Sequence, residues 1–521
     1  MNKTVILRAH TEVRRKRKKR KWIKPKSTKW PPYALVFDCE TRIDENLSLT
    51  FGFARLLRND RNAYTDCRAE IVFYDPDELK LSEVQCLMRY VAKRKTETAD
   101  DVLPRKLLLL TRQQFIQRFF FPHAEAESLI VGFNLCFDLS RIAADARPAT
   151  GLNEDWSLVF HYEDRKTKQT KEDKVRRIKI TRKDGKVAFI KLSGYSTWKG
   201  VLPSGRFLDL FTLAWALRNI HYSLKALAKD LKVKGKLKHE PTGKVTFDEI
   251  EYCRQDVRAT VEILNKLRAE FNCHPIDRLP DQVYSPASIF KAYLEAMGIK
   301  LPSEKFNIPP RIQGIAAQAY YGGRSEVRIR LARVPVVHTD FMSEYPTVIT
   351  LMGLWGFVVA SCLTVEHATQ SVRDLLQIIT DDPECLFKQE LWKEFTGYAL
   401  VEPNNDILPI RAQYNEQSDG NNIGVNVFER SDFPIWFAIP DLIASILLTG
   451  RVPKILKAIR IRPKGVQREL HSVALRGKEE VDPISGNLFK SLIEAKEREK
   501  KQDKDQAYFL KIMANSGYGI F

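Results

Sequence analysis

Tyr33-Ala34-Leu35-Val36-Phe37-Asp38-Cys39-Glu40 opens with a four-residue apolar run and ends on two carboxylates spaced by two. A short apolar run behind a turn signal predicts a buried strand. Side chains alternate across a strand, so Asp38 and Glu40 share one face at its end, where they can share a divalent ion. Such pairs are common by chance, and this one takes its meaning from its surroundings.

Upstream, Pro31-Pro32 closes an arm of residues 1–30 that carries an unbroken basic run, Arg14 through Lys21, and then Lys24, Lys26 and Lys29. Adjacent like charges repel, which predicts an extended arm. It reads as a DNA-contacting arm, a nuclear-import signal or a plain solvated tail. Downstream, Leu129 to Phe133 predicts a second strand, with amphipathic, Lys-rich stretches between the two that read as helical or looped. Arg176 to Leu192 alternates apolar and basic residues around Lys183-Asp184-Gly185, which predicts a hairpin whose basic face either lies along DNA or is merely solvated. Segments 206–230 and 256–271 have apolar spacings of three and four, as in Val257, Val261, Leu264 and Leu267, and predict core-packing helices. Cys273, His274 and Pro275 then interrupt the pattern, placing a boundary near 272–285. From Val283 helices mix with short strands, and 487–512 is a strongly charged helical stretch.

A chain of 521 residues is too long for one core and implies two or three domains. Its hydrophobic content of 44% excludes wholesale disorder. The net charge of +20 points to a polyanionic partner, nucleic acid before an anionic membrane surface. No apolar run is long enough to span a bilayer, and no apolar stretch follows the N-terminal charges as a secretory signal requires. The eight cysteines stand singly, without a CxxC pair. That spacing suits neither structural zinc nor a disulfide framework, and it fits a reducing, intracellular setting, cytoplasm, nucleoid or nucleus according to the host.

Two further segments join the first pair of acids. Asn134-Leu135-Cys136-Phe137-Asp138 ends the second apolar run and opens a helix, bringing a carboxylate to another strand end. Tyr252-Cys253-Arg254-Gln255-Asp256 leads into a helix, with Tyr252 and Asp256 one turn apart on the same face. Each acid by itself reads as a helix-end charge. The combination of Asp38, Glu40, Asp138 and Asp256 is more specific than its parts, since two-metal phosphodiester hydrolysis needs several convergent carboxylates.

These segments resemble the three exonuclease motifs of proofreading nucleases of the DEDD class, tyrosine subtype. The resemblance implies that Asp38, Glu40, Asp138 and Asp256 bind two Mg²⁺ or Mn²⁺ ions, that Tyr252 orients the attacking water, and that Asn134 and Phe137 hold the unpaired 3′ end. Farther on, Tyr320-Tyr321-Gly322-Gly323-Arg324 resembles the YxGG motif of family B DNA polymerases, which contacts DNA. His338 to Thr347 resembles polymerase motif A, implying that Asp340 is a metal ligand at the end of a palm strand and that Tyr345 lies under the incoming sugar. Glu344 stands where the family usually has leucine and Thr347 where it has serine, and the glutamate puts local packing in doubt. Lys511 to Gly519 matches motif B, KxxxNSxYG, implying nucleotide-binding roles for Lys511, Asn515 and Tyr518. Lys496 and Lys500, also one turn apart, resemble the basic pair of the fingers helix, although a solvated charged helix has the same pattern.

The resemblance runs in the family's order through residues 33 to 521 and implies an α/β multidomain architecture. A ribonuclease H-like 3′→5′ exonuclease domain at 31–275 precedes a partial palm and fingers at 276–521. Its partners would be DNA primer–template and dNTPs, with no membrane. The short spacing from Asn134 to Asp138 and an insertion around 360–430 point toward protein-primed members, which hold a terminal protein. No Asp-Thr-Asp string occurs in the chain, so the second palm carboxylate of motif C is missing, and with it the thumb. The expectation is the N-terminal part of a DNA-directed DNA polymerase with proofreading activity, completed by further sequence or by a second polypeptide. The alternatives are a stand-alone 3′→5′ DNA exonuclease and a DNA-binding subunit derived from such a polymerase. Deleting residues 1–30 should weaken DNA binding and flatten its dependence on salt, because fewer counterions are released. Titration across ionic strengths checks this, and an unaltered slope removes the arm from the interface.

Overall fold

The structure is a computed structural model. It describes residues 30–94, 107–148, 156–160, 176–182, 188–193, 204–234, 242–321, 329, 331–339, 341, 343–409, 426–430, 433–502 and 504–517. The basic run Arg14 to Lys21 and the tip of the 176–192 hairpin lie outside them. The described residues form several β-sheets and many helices in two compact units, one running to Tyr293 with Leu475–Gly477 added, the other built from Leu294–Ala474 and from Lys478 onward. No helix among them is long and apolar enough to cross a membrane.

In the first unit β1 (Tyr33–Thr41), β2 (Leu49–Asp60) and β3 (Ala63–Tyr74) form an antiparallel meander. After α1 (Leu81–Lys93), β4 (Leu108–Thr111) runs parallel to β3. A helical run follows, α2 (Arg112–Phe115), a π-helical turn (Ile116–Phe120) and α3 (Phe121–Glu125). β5 (Leu129–Gly132) then lies parallel to β1, and α4 (Leu135–Ile142) leaves its end. β6 (Asp145–Pro148), β7 (Trp156–Phe160), β8 (Arg176–Arg182) and β9 (Ala188–Ser193) form a separate antiparallel sheet. β10 (Arg206–Asp209) returns to the main sheet parallel to β5, and α5 (Leu210–Arg218), α6 (Leu224–Asp230) and α7 (Phe247–Asn272) follow. The main sheet has six strands in the order β10-β5-β1-β2-β3-β4. β5 is buried along its whole length between two parallel neighbours, which is why its sequence is an unbroken Leu-Ile-Val run.

One face of the sheet presents Leu35, Phe37 and Cys39 to a core rich in aromatic rings. Phe37 packs on Phe115 at 6.0 Å, and Phe115 stacks on Phe73 at 4.1 Å. The other face receives α7, a 26-residue helix whose inner side includes Ile250, Cys253, Val257, Leu264 and Leu267. A buried ion triplet holds that helix in place. Arg55 and Glu70 face each other across β2 and β3, with Arg55 Nη2 at 2.7 Å from Glu70 Oε1. Arg254 of α7 reaches Glu70 Oε2 at 2.6 Å. Burial raises the Glu70 carboxyl, but Arg55 and Arg254 outweigh it and hold the group below the usual carboxylate range. Toward the far end of α7, Arg268 lies between the rings of Trp30 and Tyr64, at 4.9 and 5.0 Å.

Three expectations change here. The span between the first two strands is not only helical or looped, since β2 and β3 occupy 24 of its residues as 12 and 12. Arg55 within β2, and Asp66, Arg68 and Glu70 within β3, interrupt their pattern, although Ile71-Val72-Phe73-Tyr74 at the end of β3 is an apolar run like the one that opens β1. Segment 206–230 begins as β10, because Phe207 and Leu208 complete the parallel edge beside β5. The charged stretch 487–512 is two helices, Leu488–Glu499 and Lys504–Gly517, with turn residues between them. The predicted 176–192 hairpin is present as β8 and β9, paired from Arg177↔Ser193 to Arg182↔Ala188.

In the second unit, strands Cys362–His367, Lys454–Lys464, Gly397–Glu402 and Ile435–Ala438 form an antiparallel sheet in that order. Helices Thr369–Asp381 and Ile439–Thr449 close an apolar core on it around Leu376, Phe437 and Leu442. The 360–430 insertion therefore contributes to a core of its own. Elsewhere in the unit, helix Glu344–Leu351 packs on Leu488–Glu499 and Lys504–Gly517. Among the described residues, 333–339 form no strand, contrary to the expected palm strand, and Val336 and Val337 are exposed. A β-branched run without a ladder partner leaves its side chains in solvent.

Replacing Glu70 with glutamine should cost about 3–5 kcal/mol, since it removes the buried carboxylate charge with which Arg55 and Arg254 both pair. Denaturant unfolding of the variant against the parent measures this, and the loss should exceed that of a change at the exposed Glu45.

Candidate active site

The end of β1 carries Asp38 and Glu40 on the sheet face that α7 covers. Strand alternation puts them opposite Cys39, whose thiol points into the aromatic core. Cys253 of α7 meets this pair, with Sγ at 4.0 Å from Asp38 Oδ2 and at 3.8 Å from Asp38 O. One donor atom each from Asp38, Glu40 and Cys253 lies within 4.8 Å of the others.

Asp138, in the first turn of α4, joins from a third element. Its Oδ1 accepts the Cys39 N–H at 3.1 Å, so the carboxylate is pinned beside β1 by backbone. Burial pushes its pKa well above the usual carboxylate range; Asp38 adds to this, the Cys39 amide opposes it, and Asp209 and Glu40 add more. Asp256 is also buried, and three residues separate it from Cys253 on one helical face. The Cys253 thiol is driven up by burial first, then by Glu40, Asp38 and Asp256, which puts all three acids within electrostatic reach of one sulfur. Tyr252 is buried one turn before Asp256. The sequence-predicted acids thus converge on one end of the sheet. Negative groups gathered at such cost suit a divalent cation, and the carboxylate oxygens match Mg²⁺ or Mn²⁺.

Asn134 sits between β5 and α4 in left-handed backbone, φ 65° and ψ 49°. That conformation is uncommon outside glycine but tolerated by asparagine. Asp209, at the end of β10, holds it there: its carboxylate accepts Asn134 N–H at 3.0 Å, Leu135 N–H at 2.9 Å and Phe211 N–H at 3.0 Å. Burial pushes the Asp209 carboxyl up to about 6, against the pull of those amides. Asn134 is exposed, and Phe137 is half-buried with the Arg141 guanidinium 5.3 Å above its ring.

The second unit brings fewer of its predicted residues together. Lys496 Nζ lies 3.2 Å from Ser343 Oγ, so helix Leu488–Glu499 meets the segment expected to hold motif A. Lys500 is exposed beside Glu497 at 3.5 Å, and Lys496 shares that carboxylate at 3.4 Å. Lys511 and Asn515 are exposed one turn apart on Lys504–Gly517, and Tyr345 is half-exposed on Glu344–Leu351. Tyr320 is exposed, while the Tyr321 ring is stacked on Phe437 at 6.2 Å. Gly322, Gly323, Arg324, Asp340 and Tyr518 lie outside the described residues.

Two residues at the first site escape a reading of motifs. Asp209 was legible as an acid directly before the apolar run Leu210-Phe211, an N-cap signal. Cys253 has no such signal, because a single cysteine in a helix reads as a small apolar residue.

No protein-family profile and no curated sequence matches this chain. Among solved structures it is similar to one titled phi29 DNA polymerase complexed with primer-template DNA and incoming nucleotide substrates, a ternary complex, at 12% identity and a TM-score of 0.40. The match covers 94% of this chain and 68% of that one.

The raised Asp209 pKa fixes a sign. The folded state keeps its proton to higher pH than the unfolded chain, whose carboxyl titrates near 3.8. The stability tied to that proton is fully present below about 4 and is lost as pH rises through about 6. Asp209→Asn should remove this part of the pH slope, as read from unfolding free energies of parent and variant between those limits, in the presence of a chelator.

Proposed function

We propose that the first unit is a 3′→5′ DNA exonuclease of the DEDD class. The convergence of Asp38, Glu40, Asp138 and the Tyr252–Asp256 face of α7 at one end of the main sheet carries this reading. A meander continued by parallel strands supports a ribonuclease H-like domain. The ordered motifs from Tyr320 to Gly519 support reading the second unit as palm and fingers elements of a family B DNA polymerase. DNA primer–template, dNTPs and a terminal protein are its proposed partners.

In this reading Asp38, Glu40, Asp138 and Asp256 would hold two divalent ions, which would supply water activation and charge neutralisation at the scissile phosphate. The chain does the rest. Asn134 and Phe137 grip the unpaired 3′ end, the ring by stacking on a base, with Arg141 fixing the ring from above. Tyr252 orients the water toward the terminal phosphorus. Asp209 keeps the Asn134 turn in register with Asp138 through backbone bonds alone. In the second unit, Lys496, Lys511, Asn515 and Tyr345 are assigned to the incoming nucleotide, and the Lys496–Ser343 contact supports Lys496 first.

A labelled primer–template with Mg²⁺, with and without dNTPs, tests the proposal. Shortening from the 3′ end in both conditions is expected. Asp38→Ala and Asp256→Ala should each abolish it, by a factor of roughly a thousand or more, while DNA binding stays within about twofold. Unchanged digestion by both variants would overturn the site assignment.

A further inference from the structure

Cys253 is the residue at this site that two-metal hydrolysis does not use. Its thiol is fully buried, belongs to the helix that carries Tyr252 and Asp256, and lies 3.8 Å from the Asp38 carbonyl oxygen and 4.0 Å from the Asp38 carboxylate. With Asp38 and Glu40 it forms a mixed sulfur–oxygen group whose donor atoms all lie within 4.8 Å of one another. Around a tetrahedral ion with metal–sulfur bonds of ~2.3 Å and metal–oxygen bonds of ~2.1 Å, the donors would stand about 3.4–3.6 Å apart. Small side-chain rotations close that difference, because β1 is paired with β2 and the Glu70 triplet ties α7 to β2 and β3, so the donors already stand close.

The donor type then sets the preference. Mg²⁺ takes oxygen ligands and gains nothing from a thiol. Zn²⁺ and Cd²⁺ bind thiolate and carboxylate together, and their affinity rises with each sulfur donor. We propose that Asp38, Glu40 and Cys253 form a binding site for a thiophilic divalent cation, so that Zn²⁺ displaces Mg²⁺ from this end of the sheet. The ion replaces the proton of the thiol: a sulfur–metal bond forms, the S–H bond breaks, and one proton leaves to solvent for each ion bound. A nuclease site with this set is open to regulation by zinc. The inference rests on the metal-site reading above but not on the hydrolytic one.

The test uses the full chain with Cys273 and Cys362, the two exposed thiols, replaced by serine to remove background. Cd²⁺ is titrated in while the ultraviolet charge-transfer band of the cadmium–thiolate bond is followed, and Zn²⁺ is then added as a competitor. One equivalent should develop the band, Zn²⁺ should bleach it, and millimolar Mg²⁺ should not. Cys253→Ser and Cys253→Ala should each lose the band and weaken Zn²⁺ binding by roughly tenfold or more, with unchanged circular dichroism. Asp38→Asn should weaken it likewise with the thiol intact. A band that survives in either folded Cys253 variant, or no band in the parent, overturns the proposal. Digestion of DNA without the band would sink this inference alone, whereas the band without digestion would sink the nuclease reading alone.

Discussion

The Arg55–Glu70–Arg254 triplet is the constraint on which the first unit depends. A carboxylate and two guanidinium groups are taken out of water together, and any one of them left alone would be far costlier than the set. The geometry admits little slip. Arg55 and Glu70 are cross-strand partners, so the triplet fixes the β2–β3 register, and Arg254 fixes where α7 lies along it. Cys253 is the residue before Arg254, and Asp256 follows two later. The acidic end of the sheet is thus positioned by ion pairing on its neutralised flank.

Backbone bonds do comparable work on the other side. Asp138 is set by the Cys39 amide, and the Asn134 turn by Asp209, so each functional segment is referred to the main chain of another strand. Positioning of this kind does not depend on long, mobile side chains. It also keeps the acids apart from one another while holding them near one point, an arrangement that lowers its electrostatic cost only when a cation is present.

Much of this was legible in the amino-acid sequence, for identifiable reasons. The apolar runs at 34–37 and 129–133 are strands buried between neighbours, and their terminal acids follow from alternation. Helix α7 announces itself through its three-and-four spacing, and the β8–β9 hairpin through its alternation about Asp-Gly. β2 was obscured because Arg55 interrupts its apolar pattern, and the first half of β3 because Asp66, Arg68 and Glu70 do the same, whereas the run Ile71–Tyr74 was a signal of the same kind as 34–37. Asp209 was legible as a helix cap, but its second role was not, because it serves a segment 75 residues earlier, a relation no local window contains. In the second unit the motif around Lys511 and Asn515 forms the helix it promised, while the strand expected before Asp340 does not form among the described residues.

The left-handed backbone at Asn134 narrows the substitutions this turn can survive. A β-branched residue there would be removed by strain before any effect on a DNA end was felt, whereas glycine, aspartate or histidine could pass the backbone test. The backbone alone therefore narrows what this position accepts, whatever chemistry the side chain serves.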